Sequence, residues 1–158
     1  MAATIGQPAP DFERKDQDGN LVKLSGFQGD KAVALVFYPF TFTGVCQGEL
    51  CQLRDDLTTY EKAGVQVLAI SCDSAFAQKE WAAAQGYNFP LLSDFWPHGE
   101  IAKAYGVFND EKGCANRATF VIGTDGNIAD VFETESLGVA REKARYDEAL
   151  AKLDASEG

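Results

Sequence analysis

The chain has 158 residues, 46% of them hydrophobic, which is enough for one well-formed core and short for two. A single domain over residues 1–158 is therefore expected. Acidic residues outnumber basic ones 24 to 14, and the net charge of −10 repels phosphate backbones and anionic lipid surfaces, so nucleic acid and membrane are excluded as partners. The opening MAATIGQPAPDFERKD shows neither a basic n-region nor an apolar h-region. No apolar run approaches the roughly 20 residues of a membrane span, and Pro39 ends the longest one. The expected location is the cytoplasm.

In chain order, Asp18-Gly19 punctuates an early hairpin, and Ala32 to Tyr38 forms an unbroken apolar strand whose ladder Pro39 cannot extend. A helix is expected from Thr43, because Cys46, Leu50, Leu53, Leu57 and Tyr60 fall on one apolar stripe. Thr43 is its expected N-cap, bonding toward the Cys46 amide. Val65 to Ser71 reads as a second strand, followed by a helix from about Ser74 that carries Trp81 and stops at Gly86. YNFPLLSDFWPHG reads as a loop, and Glu100 to Tyr105 as a short helix. The segment ATFVIGTDGNIADVFE reads as two strands turning at Asp125-Gly126. Val139 to Leu153 closes the chain as an amphipathic helix. A βαβ unit followed by a hairpin and a last helix is the order of an α/β, thioredoxin-like fold: a central mixed β-sheet flanked by helices, with an N-terminal β-hairpin extension.

Four cysteines stand at 46, 51, 72 and 114. They are too sparse for a disulfide scaffold, and a reducing compartment leaves redox or packing roles. Cys46 falls where a buried strand gives way to a helix. There the backbone dipole and unpaired N–H groups favour a thiolate, and only the thiolate is a strong nucleophile. Zinc is disfavoured, since no C-x-x-C pair occurs and an i, i+5 spacing puts Cys46 and Cys51 on different helix faces. No metal and no cofactor is expected.

The motif Pro39-x-x-x-Thr43-x-x-Cys46 with Glu49 one turn on, together with Trp81 and Arg117, resembles the active-site signature of peroxiredoxins. The order agrees along nearly the whole chain, including PAPDF, FPLLSD and AYGVF. FTGVCQGELCQLRD, SDFWPHG and ANRATFVI are most similar to the alkyl hydroperoxide reductase E-type branch. Cys51 departs from that branch and resembles instead the Q-type (bacterioferritin comigratory protein-like) branch, where the i+5 cysteine is the resolving thiol.

The resemblance implies a thiol peroxidase acting on hydrogen peroxide, organic hydroperoxides and peroxynitrite through a Cys46 sulfenic acid. The Thr43 hydroxyl and Arg117 guanidinium would contact the peroxide oxygens and the thiolate, with Pro39 sheltering the sulfur. The Val45 and Cys46 amides would complete the cradle, and Glu49 would orient Arg117. It implies a thiol reductant as partner, either thioredoxin or mycoredoxin with mycothiol, and a homodimer. Ionisation alone is not sufficient: a free thiol of pKa about 8.5 is about 3% ionised at pH 7, so full ionisation gains at most about 30-fold. The rest must come from donors aimed at the leaving oxygen.

Cys51 and Cys46 would lie about 8.6 Å apart between Cα atoms on an intact helix, beyond the roughly 7 Å limit of a disulfide, so bridging requires local unwinding or gives way to an external thiol. Cys114, three residues before Arg117, is a backup resolving candidate. Cys72 ends a buried strand and reads as packing. His98 has a loop or interface role, and Trp81 packs in or near the site. Phe40, Phe42 and Phe120 are expected to shape the peroxide pocket. Two other functions use the same fold: a peroxide sensor passing its oxidation to a protein partner, and a thioredoxin-like disulfide reductase, which the missing C-x-x-C motif disfavours.

Overall fold

The computed structural model describes residues 3–157. Its centre is a five-stranded mixed sheet in the order β5-β4-β3-β8-β9, built from β3 (Ala32–Phe37), β4 (Val65–Ser71), β5 (Leu91–Ser93), β8 (Ala118–Ile122) and β9 (Ile128–Glu133). β3, β4 and β5 run parallel, while β3–β8 and β8–β9 are antiparallel. Two small hairpins stand apart, β1 (Glu13–Lys15) with β2 (Leu21–Lys23) and β6 (Phe108–Asn109) with β7 (Cys114–Ala115). The helices are α1 (Gly44–Asp55), α2 (Leu57–Lys62), α3 (Ala75–Gln85), α4 (Glu100–Ala104) and α5 (Lys143–Glu157). No helix among the described residues is long and apolar enough to cross a membrane.

Every residue of β3 is buried, as its unbroken apolar run implied, because both sheet faces are covered. The period-2 alternation of side chains sorts them into two cores. Ala32, Ala34, Val36 and Tyr38 join Cys46, Leu50, Leu53 and Trp81 on one face. Val33, Leu35 and Phe37 join Ile101, Tyr105 and Phe120 on the other. This sorting puts Cys46 on one particular side of the sheet.

The early hairpin, the βαβ unit and the β8–β9 hairpin match the sequence reading, and Gly86 ends α3 in the left-handed conformation expected of a helix stop (φ 72°). Four details differ. The expected continuous helix breaks at Asp56 into α1 and α2, although Leu57 and Tyr60 keep to the same core face. Leu91–Ser93, read as loop, is an edge strand too short to show a period, held by pairing with Ala69–Ser71. The β6–β7 hairpin lies in a stretch that gave no strand signal. The last helix starts at Lys143 rather than Val139, because Arg141 is drawn out of helical pairing toward Glu49.

The last helix is fastened to the sheet through Asp130, fully buried on β9, which accepts two hydrogen bonds from Arg145 (2.6 and 2.8 Å) and one from Lys152 (3.3 Å). Burial alone would raise this carboxyl, but the Arg145 and Lys152 contacts hold it below its ordinary value. A lowered folded pKa means that the stabilisation is present above the unfolded value and is lost as pH falls through the folded one. Asp130→Asn is expected to lower the unfolding free energy by about 1–2 kcal/mol at pH 7, with Arg145 part-exposed and so partly screened. In urea titrations the difference from wild type should shrink only below about pH 4, where carboxylates begin to protonate.

Candidate active site

The strand β3 delivers the chain to Pro39, which is buried and ends the ladder. The next residues are pinned from two sides. The Thr41 amide donates to Asp73 Oδ2 (2.8 Å), which also accepts from the Ser71 hydroxyl (2.7 Å), and the Thr41 and Tyr38 hydroxyls meet at 3.1 Å. Phe42 then takes a positive φ of 66°, unusual for a residue with a side chain. That turn lets the Thr43 hydroxyl donate to the Phe40 carbonyl at 2.7 Å.

Thr43 is the N-cap residue of α1, as expected, but its hydroxyl does not bond toward the Cys46 amide. The Phe40 carbonyl takes the hydroxyl proton instead. The amides of Gly44, Val45 and Cys46, the first turn of α1, are thereby left without a side-chain cap. Cys46 itself is fully buried in this turn, while Phe40, Phe42 and Val45 are exposed around it.

One turn along α1, the buried carboxylate of Glu49 collects four hydrogen bonds from two arginines. Oε1 accepts from Arg117 Nη1 (2.6 Å) and Arg141 Nη2 (3.0 Å). Oε2 accepts from the Arg141 amide (2.7 Å) and Arg141 Nε (2.8 Å). Arg117 also donates from Nε to the Leu137 carbonyl (2.5 Å), and Arg141 from Nη1 to the Phe37 carbonyl (2.7 Å) and Thr119 Oγ1 (3.1 Å). Burial would push the Glu49 carboxyl up, but Arg141 and then Arg117 hold it well into the ionised range. Burial opposes the charge of Arg141, which Tyr146, Glu49 and Cys46 nevertheless hold above the ordinary arginine value. Two buried guanidiniums thus share one carboxylate, and Glu133 and Cys46 also lie within electrostatic reach of Arg141.

The expected Glu49–Arg117 contact is thus present, and Arg141 is an addition. Nothing in the stretch GVAREKAR distinguishes Arg141 from a surface charge; only the fold brings it to Glu49. Trp81 is fully buried, its ring 6.2 Å from Phe42 and its indole N–H 3.5 Å from Gln47 Oε1.

The comparisons with known proteins agree with this layout. The chain matches the AhpC/TSA family over residues 5–131. It is 49% identical over 151 residues to alkyl hydroperoxide reductase E of Mycobacterium tuberculosis strain H37Rv, covering 96% of this chain and 98% of that protein. It is 37% identical over 134 residues to peroxiredoxin Bcp of Escherichia coli K12, covering 81% and 84%. This chain is a peroxiredoxin of the AhpC/TSA family. Among solved structures, peroxidoxin BcpB of Mycobacterium tuberculosis superposes with a TM-score of 0.84 at 34% identity, covering 97% of each chain. The AhpC of Enterococcus faecalis does so at 0.85 and 30% identity, over 99% and 93%. The thioredoxin-like fold expected from the order of elements is the fold of these relatives, and a thiol-dependent peroxidase activity comes with the family.

In this peroxiredoxin the remaining candidates are dispersed. Cys51 is half-buried on α1, packed at the edge of the core that holds Cys46. Cys114 is buried on β7, and burial, followed by Cys46 and Asp73, raises its thiol above the ordinary range. Burial pushes the Cys72 thiol up to about 12, reinforced by Asp94 and Cys114. All four cysteines are free. His98 Nε2 lies 2.7 Å from the Gly113 carbonyl, tying the 95–99 loop to the β6–β7 turn, while Nδ1 lies 3.3 Å from the Phe95 carbonyl. Gly99 beside it has a φ of +70°, and a Cβ there would lie 2.3 Å from the Phe108 ring. Phe120 does not shape the site as expected. It pairs with Leu35 in register, so it projects to the opposite sheet face, against Phe37 and Tyr105.

Removing the carboxylate would leave two buried guanidiniums facing each other. Glu49→Gln is expected to cost about 3–5 kcal/mol of stability at pH 7, the cost of an uncompensated buried charge. Denaturant unfolding checks this, and a loss under 1 kcal/mol would contradict the triad's role.

Proposed function

We propose that this peroxiredoxin reduces hydrogen peroxide, organic hydroperoxides and peroxynitrite through a sulfenic acid at Cys46. The observation that carries this reading is the placement of Cys46 in the uncapped first turn of α1, one turn before the carboxylate that grips Arg117 and Arg141. A thiolate there would be favoured by the N-terminal end of α1, whose first turn has no side-chain cap, and by Arg141 within electrostatic reach.

In the reaction, the Cys46 thiolate attacks the terminal peroxide oxygen as the O–O bond breaks. Sulfur loses two electrons to become a sulfenic acid, and the leaving group departs as alcohol or water after taking a proton, or as nitrite from peroxynitrite. Negative charge grows on the leaving oxygen, where fixed donors count most. Arg117, oriented by Glu49, supplies one; the Thr43 hydroxyl, on its own N-cap residue, supplies another by leaving the Phe40 carbonyl. Pro39 excludes water from the sulfur. Thr43→Val and Arg117→Lys are each expected to slow peroxide reduction by about 10²–10³-fold.

Cys51 is the resolving thiol in this reading. Its thiolate attacks the sulfur of the sulfenic acid, the S–O bond breaks, and the hydroxide released is protonated to water. A dithiol reductant, thioredoxin or the mycothiol-linked mycoredoxin, then reduces the bridge and is itself oxidised to a disulfide. Both cysteines lie inside α1, so an i, i+5 bridge must unwind the helix. The protein acts in the cytoplasm, where such reductants are kept reduced, and as a homodimer whose contact runs beside the exposed Phe40, Phe42 and Val45.

Stopped-flow oxidation of wild type, Cys46→Ser and Cys51→Ser, followed by mass spectrometry, tests the scheme. Peroxide consumption should vanish in Cys46→Ser, while Cys51→Ser should keep the first oxidation but accumulate sulfenic acid or mixed disulfides. Undiminished consumption by Cys46→Ser overturns the proposal. A protein trapped in a mixed disulfide with a macromolecule, with no turnover on small dithiol reductants, would instead mark a redox relay.

A further inference from the structure

Resting on Cys51 as the resolving thiol, one side chain outside the peroxide site bears on how readily that thiol is released. Tyr87 follows the left-handed Gly86 stop of α3, its amide bonded to the Ala82 carbonyl (3.0 Å). Its ring is buried edge-on to Trp81 (5.1 Å) and stacked on Phe89 (5.3 Å), so the hydroxyl is aimed by packing on two sides. That hydroxyl lies 3.5 Å from Cys51 Sγ and donates to the Gln47 carbonyl at 3.5 Å.

Gln47 is four residues before Cys51, so its carbonyl is the acceptor of the Cys51 amide in the α1 ladder. One hydroxyl therefore touches both the thiol that has to move and the carbonyl whose helical bond has to break. The neighbours reinforce it. Cys51 Sγ donates to Gln85 Oε1 at 3.7 Å, while the Gln85 carbonyl is held by Arg54 Nη1 at 2.6 Å. Trp81 Nε1 holds the Gln47 side chain. Burial raises the Tyr87 hydroxyl far above the ordinary tyrosine range, so it stays neutral and keeps its proton for donation.

We propose that Tyr87 is a positioning residue that latches the Gln47–Cys51 segment of α1 closed, and so sets how fast Cys51 reaches the oxidised Cys46. The latch holds the helix, and with it the peroxide site, intact while Cys46 is reduced. Its cost is a longer-lived sulfenic acid, open to a second peroxide and to conversion into the sulfinic acid.

Tyr87→Phe keeps the ring packing and removes only the hydroxyl. Amide hydrogen exchange of the reduced protein should be about three- to tenfold faster over residues 47–51, the scale of a modest hydrogen bond, with the amides of β3 and β4 unchanged. Peroxide oxidation of Cys46 should proceed at the wild-type rate. Formation of the Cys46–Cys51 bridge should accelerate by a similar factor, and more peroxide should be needed for sulfinic acid to appear. Unchanged exchange over 47–51, or exchange quickened equally across β3 and β4, overturns the latch whatever the bridge does. A bridge that forms in wild type at the same rate as in Tyr87→Phe overturns its kinetic role. Faster local exchange with no bridge in either protein supports the latch and instead removes Cys51 from resolution.

Discussion

A carboxylate buried between two guanidiniums organises this molecule more than any other contact. Glu49 takes hydrogen bonds from Arg117, which precedes β8, and from Arg141, which precedes α5, while itself standing on α1. Three elements distant in sequence are thereby tied to one point. Arg141 adds a fourth tie through the Phe37 carbonyl at the end of β3. Removing three charges from water is costly, and their attraction repays this only when nearly every donor finds an acceptor. Arg141 comes close to that condition, with Nε, Nη1 and Nη2 all bonded, whereas Arg117 donates through Nε and Nη1. Under the proposed chemistry, an anion at the Cys46 sulfur would add to the negative charge that Arg141 already faces.

The same helix answers two opposed demands. To present unpaired amides and fix Glu49 at one turn from Cys46, α1 must be well formed from its first residue. The proposed resolution by Cys51 asks instead that this first turn come apart. The two demands are separated in time when opening is local, and the packing shows where the seam lies. Leu50 and Leu53 are anchored in the core, whereas Gly44, Val45 and Gly48 are exposed and contribute little burial to the opening turns. Cys46 is the one buried anchor of the first turn, and the rest is held by polar contacts, which are individually weak and quickly broken.

The long elements were legible because each carries its own signal, whereas the strand order and the short edge strand Leu91–Ser93 depend on pairing. β3 and β4 are unbroken apolar runs, α3 ends at a glycine, and β8–β9 turns at Asp125-Gly126. The motif around Cys46 was legible because Pro39, Thr43, Cys46 and Glu49 are close in sequence and on one loop–helix junction. What escaped was long-range. Arg141 meets Glu49 across 92 residues, Tyr87 meets Cys51 across 36, and neither spacing leaves a periodic trace. The misplacement of Phe120 has the same root: register decides which face a strand residue takes, and register depends on a partner strand. The Thr43 hydroxyl was misdirected by a backbone feature, the positive φ of Phe42, that no aromatic residue advertises.

Four thiols in one chain would be a hazard if all were reactive, since each oxidised sulfur can be attacked by any available thiolate. The fold separates them by environment. Cys72 and Cys114 lie in buried, carboxylate-flanked positions where the thiolate is disfavoured, near Asp94 and Asp73 respectively. Cys46 shares α1 with the carboxylate that gathers two arginines, and Cys51 stands half-buried on the same helix. Burial thus disfavours the thiolate at Cys72 and at Cys114, even though Cys114 lies within electrostatic reach of Cys46, Arg117 and Lys112.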